Sequence, residues 1–212
     1  MQKVYLNRVK PLKINTKNLL LLLLCLTLVD ASITFAKLIL QPNEALVEAA
    51  KSQIGVTVSY DSSYQRLPYP NGDVPLSRGV CTDVIIRAYR AQDVDLQQLV
   101  HEDMRVARKK YPNKWGLKKL DSNIDHRRVD NLAVFFKRHA KTILASKQAN
   151  DYQAGDIVTW LLSPGVPHIG LVGDQLAADG TPLVIHNIGR GTKMDNSLFL
   201  YKITGHFRYS PS

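Results

Sequence analysis

Three residues able to do covalent chemistry, Cys81, His168 and His186, stand where folding could bring them together. Cys81 opens a stretch in which Val80, Val84, Ile85 and Tyr89 recur three and four residues apart, the period of a helix with one apolar face. A thiol at a helix N-terminus faces unpaired backbone N–H groups and the positive end of the helix dipole, which together favour the thiolate. The same N–H groups can hold the oxyanion of a tetrahedral intermediate. His168 stands between Pro167 and the apolar run Ile169-Gly170-Leu171-Val172, at the mouth of a strand, where a general base would be held in one direction. His186 lies within Leu183–Ile188, a second apolar strand. Adjacent antiparallel strands bring such residues within reach, and a second polar group can accept the base's ring N–H and fix its tautomer. Cysteine, base and orienting group are what a thiol acyl-transfer enzyme needs. Each residue also has an ordinary alternative: a buried core cysteine, a strand-edge histidine, a satisfied core histidine. A zinc site from the same three is a lesser reading, because no close-spaced ligand pair supports it.

The elements that must position these residues fall into two textures. Residues 42–145 read as helices and loops: helices over about Asn43–Ile54, from Cys81, over Asp95–Lys110 and over Arg127–Ile143, with a Pro-rich loop from Asp61 to Gly79. Their inward faces are read as Leu46, Ala49, Ala50 and Ile54; Leu96, Leu99, Val100 and Met104; and Val129, Leu132, Ala133, Phe136 and Ala140. Residues 155–209 read as short strands: Ile157–Leu162, His168–Val172, Leu183–Ile188 and Ile203–Tyr209, with a loop at Gly189–Asn196. Helices first and an antiparallel meander second predict an α+β domain with helices on one side of the sheet.

The chain has 212 residues, 45% hydrophobic and 22% charged, enough for one full core. Twelve Gly and ten Pro exclude a collagen-like or low-complexity chain, and two cysteines exclude a disulfide framework. The net charge is +10, and residues 1–36 carry +4 of it. Those residues have a basic stretch to Lys17, an apolar run from Leu19 to Val29 and small residues ending at Thr34-Phe35-Ala36, the plan of a secretory signal peptide cleaved after Ala36. The apolar run falls short of the about 20 residues of a membrane span. The alternative is an uncleaved anchor, the one route to a membrane. A lipoprotein reading through Cys25 is disfavoured by the bulky Leu24 before it. Export to the periplasm or cell envelope would leave Cys81 as the lone thiol of an oxidising compartment, either buried and inert or reactive.

The segments Ala49–Gly55, Tyr60, Cys81, Ala154-Gly155-Asp156-Ile157-Val158, Pro167–Val172 and Val184-Ile185-His186 resemble the NlpC type of cell-wall cysteine peptidase. The resemblance covers nearly the whole mature chain, residues 37–212, and implies a compact papain-like fold, N-terminal helices packed on a C-terminal antiparallel sheet. It implies catalytic roles for Cys81, His168 and His186, with Asn187 the other candidate for third residue, and places Tyr60 near the active site, where it would touch substrate or the nucleophile. It also implies hydrolysis of amide bonds in peptidoglycan stem peptides, without a cofactor. The chain departs from that family at the nucleophile, where Val80-Cys81-Thr82-Asp83 replaces the usual Asp-Cys-Ser-Gly, and by a helical insertion at about 95–147. Gly79–Val84 and Asn123–Val129 more closely resemble an uncharacterised bacterial branch, domain of unknown function 1287. A non-catalytic wall-binding module on the same fold, and an acyltransferase or lipid hydrolase, are the alternatives.

Two charged groups are open to more than one reading. Asp83 either caps the helix that Cys81 opens, which is preferred, or binds a cationic substrate group. Asp125-His126-Arg127-Arg128 is either a salt-bridged helix start or, through Arg127, a carboxylate-binding edge of the cleft. The basic run Arg105, Arg108, Lys109, Lys110, Lys114, Lys118 and Lys119 reads first as a solvated helix face. As a binding surface it would suit peptidoglycan or another anionic envelope polymer; an exported protein would rarely meet nucleic acid.

Overall fold

A computed structural model describes residues 42–114, 116 and 119–210. The expected leader, Cys25 and Lys118 lie outside the described residues. No helix among the described residues is long and apolar enough to cross a membrane.

Helix α1 spans Pro42–Lys51, with proline at the first helical position, where its missing N–H costs nothing. It ends earlier than the apolar spacing predicts: turns follow from Ser52, and Ile54 faces solvent at 42% exposure. Gln53 is buried there instead, donating to the Val84 carbonyl at 2.9 Å. The Pro-rich stretch after it holds two short strands, β1 (Ser59–Tyr60) and β2 (Arg78–Gly79), paired in parallel. Helix α2 is Cys81–Arg90, and nine of its ten residues are buried. Helix α3 is Leu96–Ala107, capped by the Asp95 carboxylate on the Gln97 N–H, with a 3₁₀ turn over Arg108–Lys110. Helix α4 is Val129–His139, shorter than expected at both ends: Asp125–Arg127 is a separate 3₁₀ turn and Lys141–Thr142 is strand β3. Phe135 joins its buried face, whereas Ala133 and Ala140 are only partly buried.

The sheet contains β3, β4 (Ile157–Leu162), β5 (Val166–Leu176), β6 (Pro182–Asn187), β7 (Thr192–Asp195) and β8 (Lys202–Arg208). All its pairings are antiparallel, in the order β3-β8-β4-β5-β6-β7. The architecture is thus α+β, with N-terminal helices on a C-terminal antiparallel sheet. Two expectations are corrected. The stretch expected as a Gly189–Asn196 loop contains β7, because Gly189 and Gly191 take left-handed φ values of 124° and 89° and turn the chain back along β6. The sheet is not a simple meander, since β8 returns to the inner edge of β4.

Strand alternation divides the core. Ile157, Ile169, Leu171 and Ile185 pack under the helices with Leu46, Ile85, Tyr89, Leu132 and Phe136. Val158, Trp160, Val172 and Val184 form a smaller cluster with Tyr152 and Leu198 on the other face.

Candidate active site

Cys81 is the first residue of α2 and is 4% exposed. The turn that presents it is tied down from three sides. The Asp83 carboxylate accepts the Val80 N–H at 2.6 Å, so Asp83 takes the capping role. Thr82 Oγ1 donates to the Arg127 carbonyl at 3.0 Å. The amide of Asn187, at the end of β6, donates to the carbonyls of Ser59 (3.2 Å) and Gly79 (3.0 Å), anchoring the β1–β2 pair that leads into the helix.

The thiol meets the sheet where the β5–β6 ladder stops. That ladder runs through Val172↔Val184 and Leu171↔Ile185, and the next inward N–H, that of Ile169, turns to the Cys81 sulfur. The N–H groups of Thr82 and of Cys81 itself also face the sulfur. These three donors do not outweigh burial. Burial pushes the Cys81 thiol up to about 12, with the Asp83 carboxylate adding to the effect. Of the two readings open for Cys81, an activated thiolate at a helix N-terminus and a buried thiol, the burial favours the second, a protonated thiol at neutral pH.

His168, on β5, and His186, on β6, are both buried and share the Trp160 face of the sheet. His186 lies diagonally from His168, and Gly170 fills the position between them. A Cβ on Gly170 would stand 2.7 Å from Val184 Cγ1 and 3.2 Å from the His186 Cβ, so glycine lets the second imidazole lie close. His168 Nε2 and His186 Nδ1 are 2.8 Å apart. Trp160, opposite His168, backs its ring at 5.8 Å between centroids and is itself fixed by a hydrogen bond to the Leu198 carbonyl. Burial, with His186 adding to it, lowers His168 to about 3, so its imidazole is neutral at neutral pH with Nδ1 left over. Asn187 faces the other way, onto Ser59 and Gly79, so of the two candidates for third residue His186 is the one bonded to His168.

One further residue joins the pair. His186 Nε2 lies 3.1 Å from Asp195 Oδ1 on β7, and Lys193 holds the other carboxylate oxygen at 2.6 Å. Sequence reasoning missed Asp195 because it placed residues 189–196 in a loop. The available signal was the pair Gly189 and Gly191, which could have suggested a hairpin returning a strand beside His186.

A cleft of about 220 Å³ opens at Cys81, lined by Tyr60, Ser62, Val80, Ile124, Val129 and Pro167 among others. Tyr60 is 41% exposed, and burial of its hydroxyl together with Cys81 and Asp83 pushes the phenol up to about 12, so it stays protonated. The Ile124–Asp130 segment, running into the start of α4, forms one wall. Arg127 lines the cleft but is not available to a substrate carboxylate. Its guanidinium grips Asp83 through Nε and Nη2, each at 2.9 Å, and both side chains are almost fully buried. Asp83 is likewise spent on Arg127 and the Val80 N–H, which corrects its reading as a contact for a cationic substrate. Among the described residues, no group of three or more His, Cys, Asp or Glu is arranged to hold a metal ion.

Fold and site together define an α+β protein with a helix-opening thiol, held by the Ile169 N–H, and a hydrogen-bonded imidazole pair with a carboxylate that begins at the neighbouring residue of β5, His168. The chain belongs to the family described as "Domain of unknown function (DUF1287)", matched over residues 47–209. It is 58% identical to the "Uncharacterized protein YijF" of Escherichia coli (strain K12) over 167 residues, 79% of this chain and 82% of that protein. Among solved structures it is similar to NlpC1 from Trichomonas vaginalis, at a TM-score of 0.44 and 16% identity. That match covers 79% of this chain, which spans only 44% of the other's length.

Proposed function

We propose that this protein is an exported thiol hydrolase that cleaves amide bonds in peptidoglycan stem peptides. The observation that carries the hydrolase reading is the linked series His168, His186 and Asp195, which starts one residue before the Ile169 N–H that faces the Cys81 sulfur, with a cleft opening at Cys81. The wall substrate rests on the resemblance at Cys81, Pro167–Val172 and Val184–His186, and export on the leader pattern. With the thiol protonated and His168 neutral at rest, proton transfer and attack occur together. Sγ adds to the amide carbonyl carbon as His168 Nδ1 takes the thiol proton. The oxyanion is met by backbone N–H groups at the start of α2, with Tyr60 as a further donor. His168 returns the proton to the leaving amine, and a water activated by the same nitrogen hydrolyses the thioester.

The test is incubation of the mature protein, beside Cys81→Ala, with peptidoglycan, the released fragments being read by mass spectrometry. Fragments that vanish with Cys81→Ala are the expected result, and their masses name the bond. No release by either protein overturns the wall-hydrolase reading. The burial that holds the thiol neutral favours a second reading, a wall-binding module without turnover. That reading expects the protein to co-sediment with peptidoglycan and leave it intact.

A further inference from the structure

The histidine pair has two possible directions, and only one of them serves a base. A neutral imidazole carries one ring proton, so the single proton shared across the 2.8 Å contact belongs either to His168 Nε2 or to His186 Nδ1. If His186 holds it, His168 has its proton on Nδ1 and cannot accept one from the thiol. If His168 holds it on Nε2, Nδ1 is bare.

We infer that Asp195 is a positioning residue that settles this direction, by accepting the Nε2 proton of His186 and so leaving His186 Nδ1 bare, His168 Nε2 protonated and His168 Nδ1 free to take a proton from Cys81. The inference rests on the reading of Cys81 and His168 as nucleophile and base, and adds a residue that neither sequence reasoning nor family resemblance supplies.

The geometry supports it on both sides of the carboxylate. Asp195 Oδ1 is 3.1 Å from His186 Nε2, and an ionised carboxylate only accepts. Burial pushes the Asp195 carboxyl up, but hydrogen bonds from Lys193 and Ser197 and the nearby His186 and Lys193 hold it below the usual carboxylate range. Ser197 Oγ lies farther off, 3.4 Å from the same His186 nitrogen, and its hydroxyl can accept there while it supports the ionised Asp195. A His186 with a bare Nε2 would set its lone pair against the ionised Asp195 oxygen at 3.1 Å, the nearer of its two neighbours. Lys193, opposite His186 on β7, reaches the far carboxylate oxygen and not the ring. The direction set at Asp195 therefore passes along the pair to the nitrogen left for the thiol. During the reaction the thiol S–H breaks and an N–H forms at His168 Nδ1; the other ring protons stay in place.

Long-range ¹H–¹⁵N correlation spectra of the histidine rings read tautomers directly. In the unsubstituted protein at neutral pH, His168 and His186 are both expected as Nε2–H tautomers. In Asp195→Ala, both are expected to acquire Nδ1–H character, and kcat to fall by about 10²-fold or more with KM within about twofold, as losing the orienting carboxylate does in a comparable array. Asp195→Glu, which keeps an acceptor, restores the native tautomers in part, and Ser197→Ala leaves them unchanged. An Nδ1–H tautomer at either ring of the unsubstituted protein overturns the inference, as do unaltered tautomers in Asp195→Ala. The unsubstituted spectrum decides even if Asp195→Ala does not fold. Native Nε2–H tautomers that depend on Asp195, in a protein that releases nothing from peptidoglycan, uphold this inference and remove the hydrolase reading alone.

Discussion

Replacing Asp83 by alanine should unfold much of what holds the nucleophile. The carboxylate closes three short contacts, at 2.6 Å to the Val80 N–H and at 2.9 Å to each of Arg127 Nε and Nη2. The Arg127 side chain keeps only 2% of its surface exposed, so Asp83→Ala leaves a guanidinium in the interior with no counter-charge. Breaking one side of a buried pair costs about 3–5 kcal/mol, and the lost helix cap adds about 1 kcal/mol. Against a urea dependence of about 2 kcal/mol per molar, the unfolding midpoint should fall by roughly 2–3 M. Removing both charges is different, because the interior then carries no unpaired ion: Asp83→Ala/Arg127→Met should be more stable than Asp83→Ala by at least about 2 kcal/mol. Equilibrium urea unfolding of the two single variants and the double variant measures this. An Asp83→Ala cost below about 1 kcal/mol, or a double variant as unstable as the sum of the singles, would refute the reasoning.

Two other outcomes follow from the same interior. Gly170→Ala puts a methyl 2.7 Å from Val184 Cγ1 and 3.2 Å from the His186 Cβ, so it should cost about 1–3 kcal/mol and push the imidazoles apart, seen as a lower melting temperature and altered histidine ring shifts; native-like values for both would contradict it. Burial lowers His168 to about 3, His126 to about 4, and His186 in the same direction, so the unfolded chain takes up protons that the folded one refuses. Their contribution is complete above about pH 6.5 and is lost as pH falls from there toward 4, by up to about 1.4 kcal/mol per pH unit for each histidine, and a urea midpoint unchanged between pH 7 and pH 5 would show the rings to be protonated in the folded state.

The sequence made the helix-opening position of Cys81 and the strand positions of His168 and His186 legible because each sits beside a strong local signal. Ile157–Leu162 was read to the residue, since six consecutive apolar or β-favouring residues lie between a Gly-Asp turn and Ser163-Pro164-Gly165. The meeting of the histidines could be anticipated from adjacent antiparallel strands, but their diagonal register could not, because it depends on where the β5–β6 ladder ends. Helix ends were the weaker part: Ile54 fits the helical period, yet the chain turns before it and buries Gln53 instead. The protonated thiol was illegible for a related reason. Helix position is a local property, whereas the burial that outweighs it comes from the core cluster around Cys81, whose strand residues lie 76 or more positions further along the chain. The Arg127–Asp83 pair joins residues 44 apart in the chain, and charge density alone did not distinguish it from a substrate-binding edge.

The place of β8 within the sheet gives this protein a timetable. The last of the six strands in chain order, Lys202–Arg208, pairs on one side with β3 and on the other with β4, so the sheet cannot be completed until that strand has been made. The Asn187 amide, which steadies the approach to Cys81, waits on contacts made across 108 and 128 residues. Contacts of such separation form late, because the intervening chain must first lose its freedom. Until β6 to β8 have been made, the chain therefore carries a cysteine held only by its nearer supports, the Asp83 cap and the Arg127 carbonyl, and the site becomes whole only when those strands are in place.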